Sequence, residues 1–264
     1  MNYNFDRFSK KSASSKKLTM VTCYDTWSAK ILDNTNVDAV LVGDSLAMVM
    51  HGFPNTLHAT VEMMALHTAA VARGITKKII VADMPFMSTR GSLDQTIIAA
   101  QKLMTAGAHA IKIEGADGHE KLIEHLVKSG IPVMGHLGLT PQSVFTLGGF
   151  KVQGRTDKQV EALMKDAKTL EDAGCFSLVL ECVPNAVGRD VTNRLSISTI
   201  GIGAGPETSG QVLVLQDLLG LNGEFKPKFL RKFAPGESII NEAINNFCSQ
   251  VSTSDFPTAQ ESYE

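Results

Sequence analysis

The sequence has few cysteines, no long apolar run and no excess of charge of either sign. The four cysteines form no Cys-x-x-Cys pair, and no histidine stands near them at metal-ligand spacing, so we expect neither a zinc site nor disulfides, and a reducing, cytoplasmic location. No apolar stretch is long enough to cross a bilayer, which predicts that the protein has no membrane partner. The formal net charge is -2, with lysines and arginines spread along the chain, so a nucleic-acid partner is not expected.

The order of short apolar runs predicts the fold class. Eight runs are typical of strands, and most are separated by segments with apolar residues at helical spacing. The predicted strands span residues 18–25, 39–45, 78–84, 109–115, 131–137, 177–182, 199–204 and 211–216. The predicted helices span residues 61–73, 93–106, 119–128, 157–173 and 237–251. This alternation indicates a parallel sheet, and eight strands in 264 residues predict an α/β fold closed into a (β/α)8 TIM barrel, for which about 250 residues are typical.

No repeat, low-complexity block or linker divides the chain, so residues 1–264 are predicted to form a single domain. Residues 1–17 are rich in serine and lysine and are predicted to form a short, solvated N-terminal arm. Residues 223–264 are predicted to form a C-terminal helix and tail, which lies either on a neighbouring subunit or over the barrel.

Lys112 and Glu114 lie two residues apart in the fourth predicted strand. Successive side chains of a strand point to opposite faces, so these two share one face while Ile111 and Ile113 share the other. A β-branched pair suits a face covered by helices. An ammonium and a carboxylate that face the interior are costly unless they are paired, bind a metal or meet a charged ligand. We therefore expect other parts of the chain to supply partners for these two charges.

Polar residues stand at or near the carboxyl ends of six separate predicted strands. They are Asp25, Asp44, Asp83, Glu114, His136 and Glu181. In a (β/α)8 barrel these ends converge on one mouth, where active sites lie. A single carboxylate after a strand caps the next helix about as often as it serves a function. Helix capping alone does not explain five such carboxylates. Because like charges crowded in a mouth repel each other, the pattern predicts a bound cation.

Asp44, Asp83 and Glu114 are the candidate metal ligands. A set of carboxylate oxygens favours Mg2+ (or Mn2+) over Zn2+. An ion with open coordination positions can bind a 2-oxo acid and stabilise the enolate that forms when the adjacent carbon loses a proton. Lys112 would pair with the same developing charge, and Ser45 would offer its backbone N–H or its hydroxyl to the substrate.

Glu181 is the candidate general base, because it ends an apolar run and such surroundings suit proton abstraction. His136 has two interpretations. It would donate a hydrogen bond to a substrate carboxylate or hydroxyl, or it would be a histidine satisfied within the barrel.

Several segments resemble those of the ketopantoate hydroxymethyltransferase family, in order and at similar spacing. They are VGDSL at 42–46, VADMPF at 81–86, IKIEG at 111–115, VMGHLGLTPQS at 133–143, GGFKVQGR at 148–155 and LECVP at 180–184. The resemblance implies a (β/α)8 enzyme of pantothenate biosynthesis. Such an enzyme transfers a one-carbon unit from 5,10-methylenetetrahydrofolate to 3-methyl-2-oxobutanoate and forms 2-dehydropantoate. It also implies a cytoplasmic homo-oligomer, typically a decamer.

The same resemblance implies a role for each candidate residue. Asp44 and Asp83 would bind Mg2+, with Glu114 near it, directly or through water. The contacts to the oxo acid would come from Asp44, Ser45, Asp83 and Lys112. Glu181 would accept the proton.

Five positions depart from the family pattern without removing a candidate ligand or base. They are Ala47, Met87, Ser198, Ser209 and Gln216, where the family commonly has Gly, Gly, Pro, Asp and His. We expect these differences to alter the pocket rim and the folate contacts rather than the chemistry.

Two other functions remain open from the residues alone. A lyase or mutase that acts on a pyruvate-like 2-oxo acid would share the barrel, the Mg2+ and the enolate, because these features do not identify the electrophile. A non-enzymatic barrel that binds a metabolite or serves as a scaffold would be expected to lack a ligand or the base, and all of them are present.

Overall fold

The eight strands of the chain form a closed parallel barrel in a computed structural model that describes residues 5–10, 16–223 and 226–263. The strands are β1 (Leu18–Thr22), β2 (Ala39–Val42), β3 (Ile79–Asp83), β4 (Ala110–Glu114), β5 (Val133–Gly138), β6 (Ser177–Glu181), β7 (Ser198–Ile202) and β8 (Gly210–Leu213). Each strand pairs with the next in sequence, and β8 pairs with β1. The predicted (β/α)8 barrel is confirmed.

Helices lie between successive strands of the barrel, except that residues 203–209 between β7 and β8 form no helix. The helices of the described residues are α1 (Asp6–Ser9), α2 (Thr26–Asp33), α3 (Leu46–Val49), α4 (Val61–Ala72), α5 (Leu93–Thr105), α6 (Glu120–Lys128), α7 (Asp157–Asp172), α8 (Asn185–Arg194), α9 (Leu215–Leu218) and α10 (Gly236–Ser252). The five predicted helices correspond to α4, α5, α6, α7 and α10. The prediction missed α1, α2, α3 and α8, and it extended the last strand into residues that form α9.

The barrel interior is filled with apolar side chains below its carboxyl end. Its core contains Met20, Leu41, Val81, Ala110, Met134, Val179, Ile200 and Val212. Along β4, Lys112 and Glu114 follow Ala110 at two-residue intervals and therefore point to the same side, above this core. Ile111 and Ile113 are fully buried on the opposite side of the strand. The predicted division of β4 into a charged inner face and an apolar outer face is confirmed.

The described part of the N-terminal arm is packed against the barrel, so the prediction of a solvated arm is wrong for residues 5–10. Phe8, on α1, is 2% exposed and belongs to the barrel core. Phe5 and Phe8 each contact the ring of Phe176 edge-on, with ring centroids 5.2 Å and 6.4 Å apart. Two aromatic rings three residues apart lie on one side of a helical turn, and this outweighs the polar composition around them. The predicted arm residues 1–4 and 11–15 lie outside the described residues.

Residues 1–213 and 214–264 form two compact units, and the prediction of a single domain stays a prediction. In the second unit, α10 has no buried residue. Its exposed apolar residues Ile240, Ile244, Phe247 and Val251 follow each other at intervals of three or four and form one face of the helix. Among the described residues, no helix has both the length and the apolar composition to span a bilayer.

Candidate active site

Five of the six polar residues predicted at strand ends meet at the carboxyl end of the barrel. They are Asp44, Asp83, Glu114, His136 and Glu181, linked to one another through ion pairs and hydrogen bonds that also include Lys112. Asp25 does not join them. Its carboxylate accepts a hydrogen bond from Ser28 N at 2.8 Å and caps α2, which is the ordinary role of an aspartate before a helix.

Asp44 and Asp83 are joined through the backbone, and Asp83 is paired with Lys112. Asp44 N donates to Asp83 Oδ2 at 3.0 Å, and Lys112 Nζ lies 3.1 Å from Asp83 Oδ1. All three side chains are buried. Burial, together with the charges of Asp83 and Glu114, raises the pKa of Asp44 well above its usual range. Burial also raises the pKa of Asp83, although Lys112 opposes this shift. The positive charge near these two carboxylates is therefore too small to offset the effect of burial on them.

A second chain of contacts runs from Lys112 through His136 to Glu181. His136 Nδ1 lies 3.1 Å from Lys112 Nζ and 3.3 Å from Glu114 Oε1, while its Nε2 lies 3.3 Å from Glu181 Oε2. Burial and the Lys112 ammonium disfavour a charged imidazole, but the two glutamates outweigh them and raise the pKa of His136 to about 9. A protonated His136 is thus paired by charge with Glu114 on one side and with Glu181 on the other, although Nε2 makes no hydrogen bond to any described residue in this geometry.

The charges of this cluster do not cancel. Although burial disfavours the ammonium of Lys112, the surrounding Asp83, Glu114 and Asp44 raise its pKa above the usual range. Burial opposes the ionised form of Glu114, but His136 and Lys112 lower its pKa below the usual range. With Lys112 and His136 charged and all four carboxyl groups ionised, four negative charges face two positive ones, and a divalent cation would balance them.

Ser45 lies beside this cluster and is held by Tyr24, a residue that the sequence analysis missed. The hydroxyls of Tyr24 and Ser45 are 2.7 Å apart. Burial raises the pKa of the Tyr24 phenol, so its hydroxyl stays protonated. Gly43 allows this close packing, because a Cβ at that position would lie 2.8 Å from Ser45 Oγ. Tyr24 lies two residues after the last residue of β1, and this strand-end position is the signal that could have identified it.

Gln142 is a second residue that the sequence analysis missed, although it stands inside a family-like segment. Its Nε2 donates to Asp44 Oδ2 at 2.9 Å and to Met84 O at 3.0 Å. Its backbone N–H donates to Glu114 Oε2 at 3.0 Å. Gln142 therefore holds two of the three candidate metal ligands in place. Gln142 lies in the loop after β5. Its role depends on how that loop folds over the mouth of the barrel, which the sequence does not show.

The donor set at Asp44 and Asp83 fits Mg2+. Among the described residues, no three histidine, cysteine, aspartate or glutamate side chains form a group that could hold a metal by themselves. Mg2+ does not require such a group, because it is commonly bound through one or two carboxylates together with waters and substrate oxygens. Two buried carboxylates whose pKa values are raised by burial and by neighbouring acids meet that requirement.

Two of the five departures from the family pattern lie away from this cluster. Ser198 is the first residue of β7 and Ser209 precedes β8, so both lie at the opposite end of the barrel. Their expected effect on the pocket rim is wrong for this reason. Ala47 is fully buried in α3. Met87 has a φ of 63°, a left-handed conformation that glycine adopts more easily, and lies exposed in the loop after β3.

Comparisons with known proteins identify the family to which the chain is similar. The model of the ketopantoate hydroxymethyltransferase family matches residues 2–259. A 3-methyl-2-oxobutanoate hydroxymethyltransferase from Coxiella burnetii is 58% identical over 255 residues, covering 96% of each chain. The enzyme of the same name from Francisella tularensis subsp. novicida is 50% identical over 257 residues, covering 97% of each chain.

Solved structures share the fold at much lower identity. A 2,3-dimethylmalate lyase of the PEP mutase/isocitrate lyase superfamily superposes with a TM-score of 0.62 at 15% identity, covering 98% of this chain and 93% of the other. A phosphonopyruvate hydrolase in complex with oxalate and Mg2+ gives a TM-score of 0.62 at 10% identity, covering 97% and 92%. These two matches show that the chain shares the barrel fold of those proteins. The family match over nearly the whole length shows that the chain belongs to the ketopantoate hydroxymethyltransferase family.

Proposed function

We propose that this protein transfers a hydroxymethyl group from 5,10-methylenetetrahydrofolate to 3-methyl-2-oxobutanoate and forms 2-dehydropantoate, the first step of pantothenate biosynthesis. The observation that carries the proposal is the identity of 50–58% to enzymes of that name over nearly the whole chain. The cluster at the barrel mouth supports it, because the residues proposed as ligands and as the base lie in contact with one another there.

The proposed metal is Mg2+, held by Asp44 and Asp83, with Glu114 near it, directly or through water. When bound there, Mg2+ would polarise the keto oxygen of the oxo acid and so make the neighbouring C–H bond more acidic. Gln142 would keep Asp44 and Glu114 in place for this purpose, since it donates to both.

The oxo acid is proposed to bind between Ser45 and Lys112. Ser45 offers a hydroxyl whose position is set by Tyr24. Lys112, held by Asp83, keeps its proton and supplies positive charge where negative charge develops on the substrate oxygen. Asp44 and Asp83 would contact the same substrate through the metal, and His136 would donate to a substrate oxygen once Glu114 or Glu181 releases it.

Glu181 is the proposed base. Its side chain is 19% exposed, more than that of the other charged residues in the cluster, so it is accessible to a molecule in the mouth. Glu181 would take the proton from C3 of the oxo acid, and that carbon would form a C–C bond to the methylene carbon of the folate. The C–N bonds of that methylene group to the folate break, the folate leaves as tetrahydrofolate, and water supplies the hydroxyl oxygen of the product. His136 lies 3.3 Å from Glu181 Oε2 and would orient the Glu181 carboxylate through this ion pair.

A homo-oligomer is the proposed assembly, decameric by the family resemblance. The exposed apolar face of α10 supports self-association, because a helix with no buried residue normally buries its apolar face against a partner. The cytoplasm is the proposed location, since the four cysteines are unpaired.

An NMR assay tests the proposed reaction. The protein is incubated with Mg2+, 3-methyl-2-oxobutanoate and methylenetetrahydrofolate, and the new hydroxymethyl signal of the product is followed. We expect product only when all components are present, with loss on treatment with EDTA and recovery when Mg2+ is added back. Cleavage of a pyruvate-like oxo acid without folate would instead favour the lyase or mutase. Absence of any turnover with Mg2+ bound would favour the non-enzymatic barrel.

A further inference from the structure

The backbone of Glu181 is in unusually close contact with Gly138. The two residues are paired at the carboxyl ends of neighbouring strands β5 and β6. A Cβ built on Gly138 would lie 2.2 Å from Glu181 O and 2.9 Å from Val183 Cγ1. Gly138 also has a φ of 92°, which only glycine adopts without strain. No larger residue fits here unless the end of β6 moves.

The end of β6 has little freedom to move. Leu139 N donates to Glu181 O at 2.8 Å, so the same oxygen that a Cβ would strike is already fixed by a hydrogen bond. The next residue, Cys182, is held on both sides: its N–H donates to Ile202 O at 2.8 Å, and its carbonyl accepts from Gln153 N at 2.9 Å. Glu181 therefore lies in a backbone clamp formed by Gly138, Leu139, Cys182 and the two strands that flank β6.

The clamp includes a strained residue at the point where it holds Glu181. Cys182 has a φ of 47°, a left-handed conformation that is strained for a residue with a side chain. Such strain persists only where the surroundings impose it. The thiol offers no chemical reason for the conformation, because burial raises the pKa of Cys182 to about 12 and keeps the thiol protonated.

We propose that Gly138 is a positioning residue for the base: by omitting a side chain, it lets the end of β6 approach β5 closely enough to place the Glu181 carboxylate against His136 and the substrate. The left-handed turn at Cys182 completes this placement. The inference rests on the proposed role of Glu181 in proton abstraction. A displacement of about 1 Å at a reacting group can cost about a hundredfold in rate, so the clamp bears directly on the reaction.

Gly138→Ala tests the clamp, with Gly130→Ala as its matched control. Gly130 also has a positive φ, of 87°, but a Cβ there would meet nothing within 4 Å. Both variants therefore carry a comparable backbone strain, and only Gly138→Ala adds the collision. The readouts are the exchange of the C3 proton of 3-methyl-2-oxobutanoate in D2O, and the Kd of the oxo acid in the presence of Mg2+.

We expect Gly138→Ala to slow proton exchange at least tenfold while the Kd changes less than threefold, and Gly130→Ala to leave both at wild-type values. Crystal structures of the two variants should show the contact of 3.3 Å between Glu181 Oε2 and His136 Nε2 lengthened in Gly138→Ala alone. Wild-type exchange in a folded Gly138→Ala, or an unchanged contact, would overturn the proposal. If the wild-type protein exchanges no proton, the proposed function fails, and the structures still decide whether Gly138 places Glu181.

Cys182 gives a second test that does not depend on the folding of Gly138→Ala. Cys182→Gly keeps the left-handed backbone available, whereas Cys182→Val disfavours it because a β-branched side chain rarely adopts that conformation. We expect near wild-type exchange in Cys182→Gly and a loss of at least fivefold in Cys182→Val, with unchanged oxo-acid Kd in both. Equal activity of the two variants would contradict the clamp.

Discussion

Lys112 Nζ lies 3.1 Å from Asp83 Oδ1, and the two side chains are only 5% and 3% exposed. This ion pair lies inside the barrel, where an unpaired charge is costly. It connects the proposed metal site at Asp83 to the proposed base, because the same ammonium lies 3.1 Å from His136 Nδ1. Disturbing the pair should therefore affect both stability and substrate binding.

Lys112→Met should destabilise the protein without Mg2+ by about 3 kcal/mol, which corresponds to a fall of about 6–12 °C in Tm, because Asp83 loses its partner. The matched control is Lys128→Met, which breaks the exposed pair with Glu124 on α6 and should cost less than about 0.5 kcal/mol. Differential scanning calorimetry at one protein concentration measures both. An equal Tm for the two variants would contradict the view that the buried pair supports the site.

The barrel and its charged mouth could be predicted from the sequence because both depend on local patterns. Strand and helix periods alternate along the chain, and in a (β/α)8 barrel the carboxyl ends of all strands converge, so a strand-end residue is placed without knowing the side-chain contacts. The same reasoning misplaced Asp25, whose position resembles that of Asp83 but whose carboxylate turns back to cap a helix. Only the direction of the side chain separates the two cases.

The residues that support the site could not be predicted, because their roles arise from loops and close approaches. Gln142 contacts Asp44 only because the loop after β5 folds over the mouth. Gly138 is one of many glycines in the sequence, and its importance depends on the distance to Glu181 O. The burial of Phe8 likewise depends on Phe176, far away in the sequence.

Gln142→Leu should weaken the binding of Mg2+ and of the oxo acid by about tenfold each, since a group that hydrogen-bonds to a metal ligand commonly contributes about 10–100-fold to metal affinity. The backbone bond from Gln142 N to Glu114 remains in this variant, so the effect reports the contact with Asp44. Isothermal titration calorimetry with Mg2+, with and without oxo acid, measures the two affinities. Gln101→Leu, on the exposed surface of α5, serves as the control and should leave both affinities unchanged.

Tyr24→Phe and Ser45→Ala should each raise the KM for the oxo acid several-fold, because each removes one side of the hydrogen bond of 2.7 Å. A single hydrogen bond contributes about 1 kcal/mol. The two substitutions disrupt the same interaction, so the double variant should lose little more than Ser45→Ala alone. Steady-state kinetics on the four proteins of this cycle provide the test, and fully additive effects would show that Tyr24 does not act through Ser45.

Glu171 should make the stability of the protein depend on pH on the acid side. Burial opposes its ionised form, but Lys168, the hydroxyl and N–H of Ser196, and the N–H of Ile197 lower its pKa to about 2, from 4.5. A lowered pKa in the folded state stabilises the protein above about pH 4.5, and this contribution is lost as the pH falls towards 2. Glu171→Gln should therefore be less stable than wild type by about 2 kcal/mol at pH 7, with a smaller difference at pH 3. A difference in Tm that does not change with pH would contradict this assignment.

Asp83→Ala should weaken Mg2+ and oxo-acid binding together, because Asp83 is proposed to bind the metal and hold Lys112. Unchanged affinity for both ligands would remove it from the proposed metal site. Titration of the apo protein with Mg2+, followed by the oxo acid, separates the two steps.

Proton exchange at C3 of 3-methyl-2-oxobutanoate, measured in D2O without folate, tests the central claim most directly. The wild-type protein with Mg2+ should exchange this proton, and Glu181→Gln should bind the oxo acid with similar affinity but lose exchange by about a hundredfold or more, the size typical of a missing general base. Exchange at the wild-type rate in Glu181→Gln would contradict the assignment of Glu181 as the base.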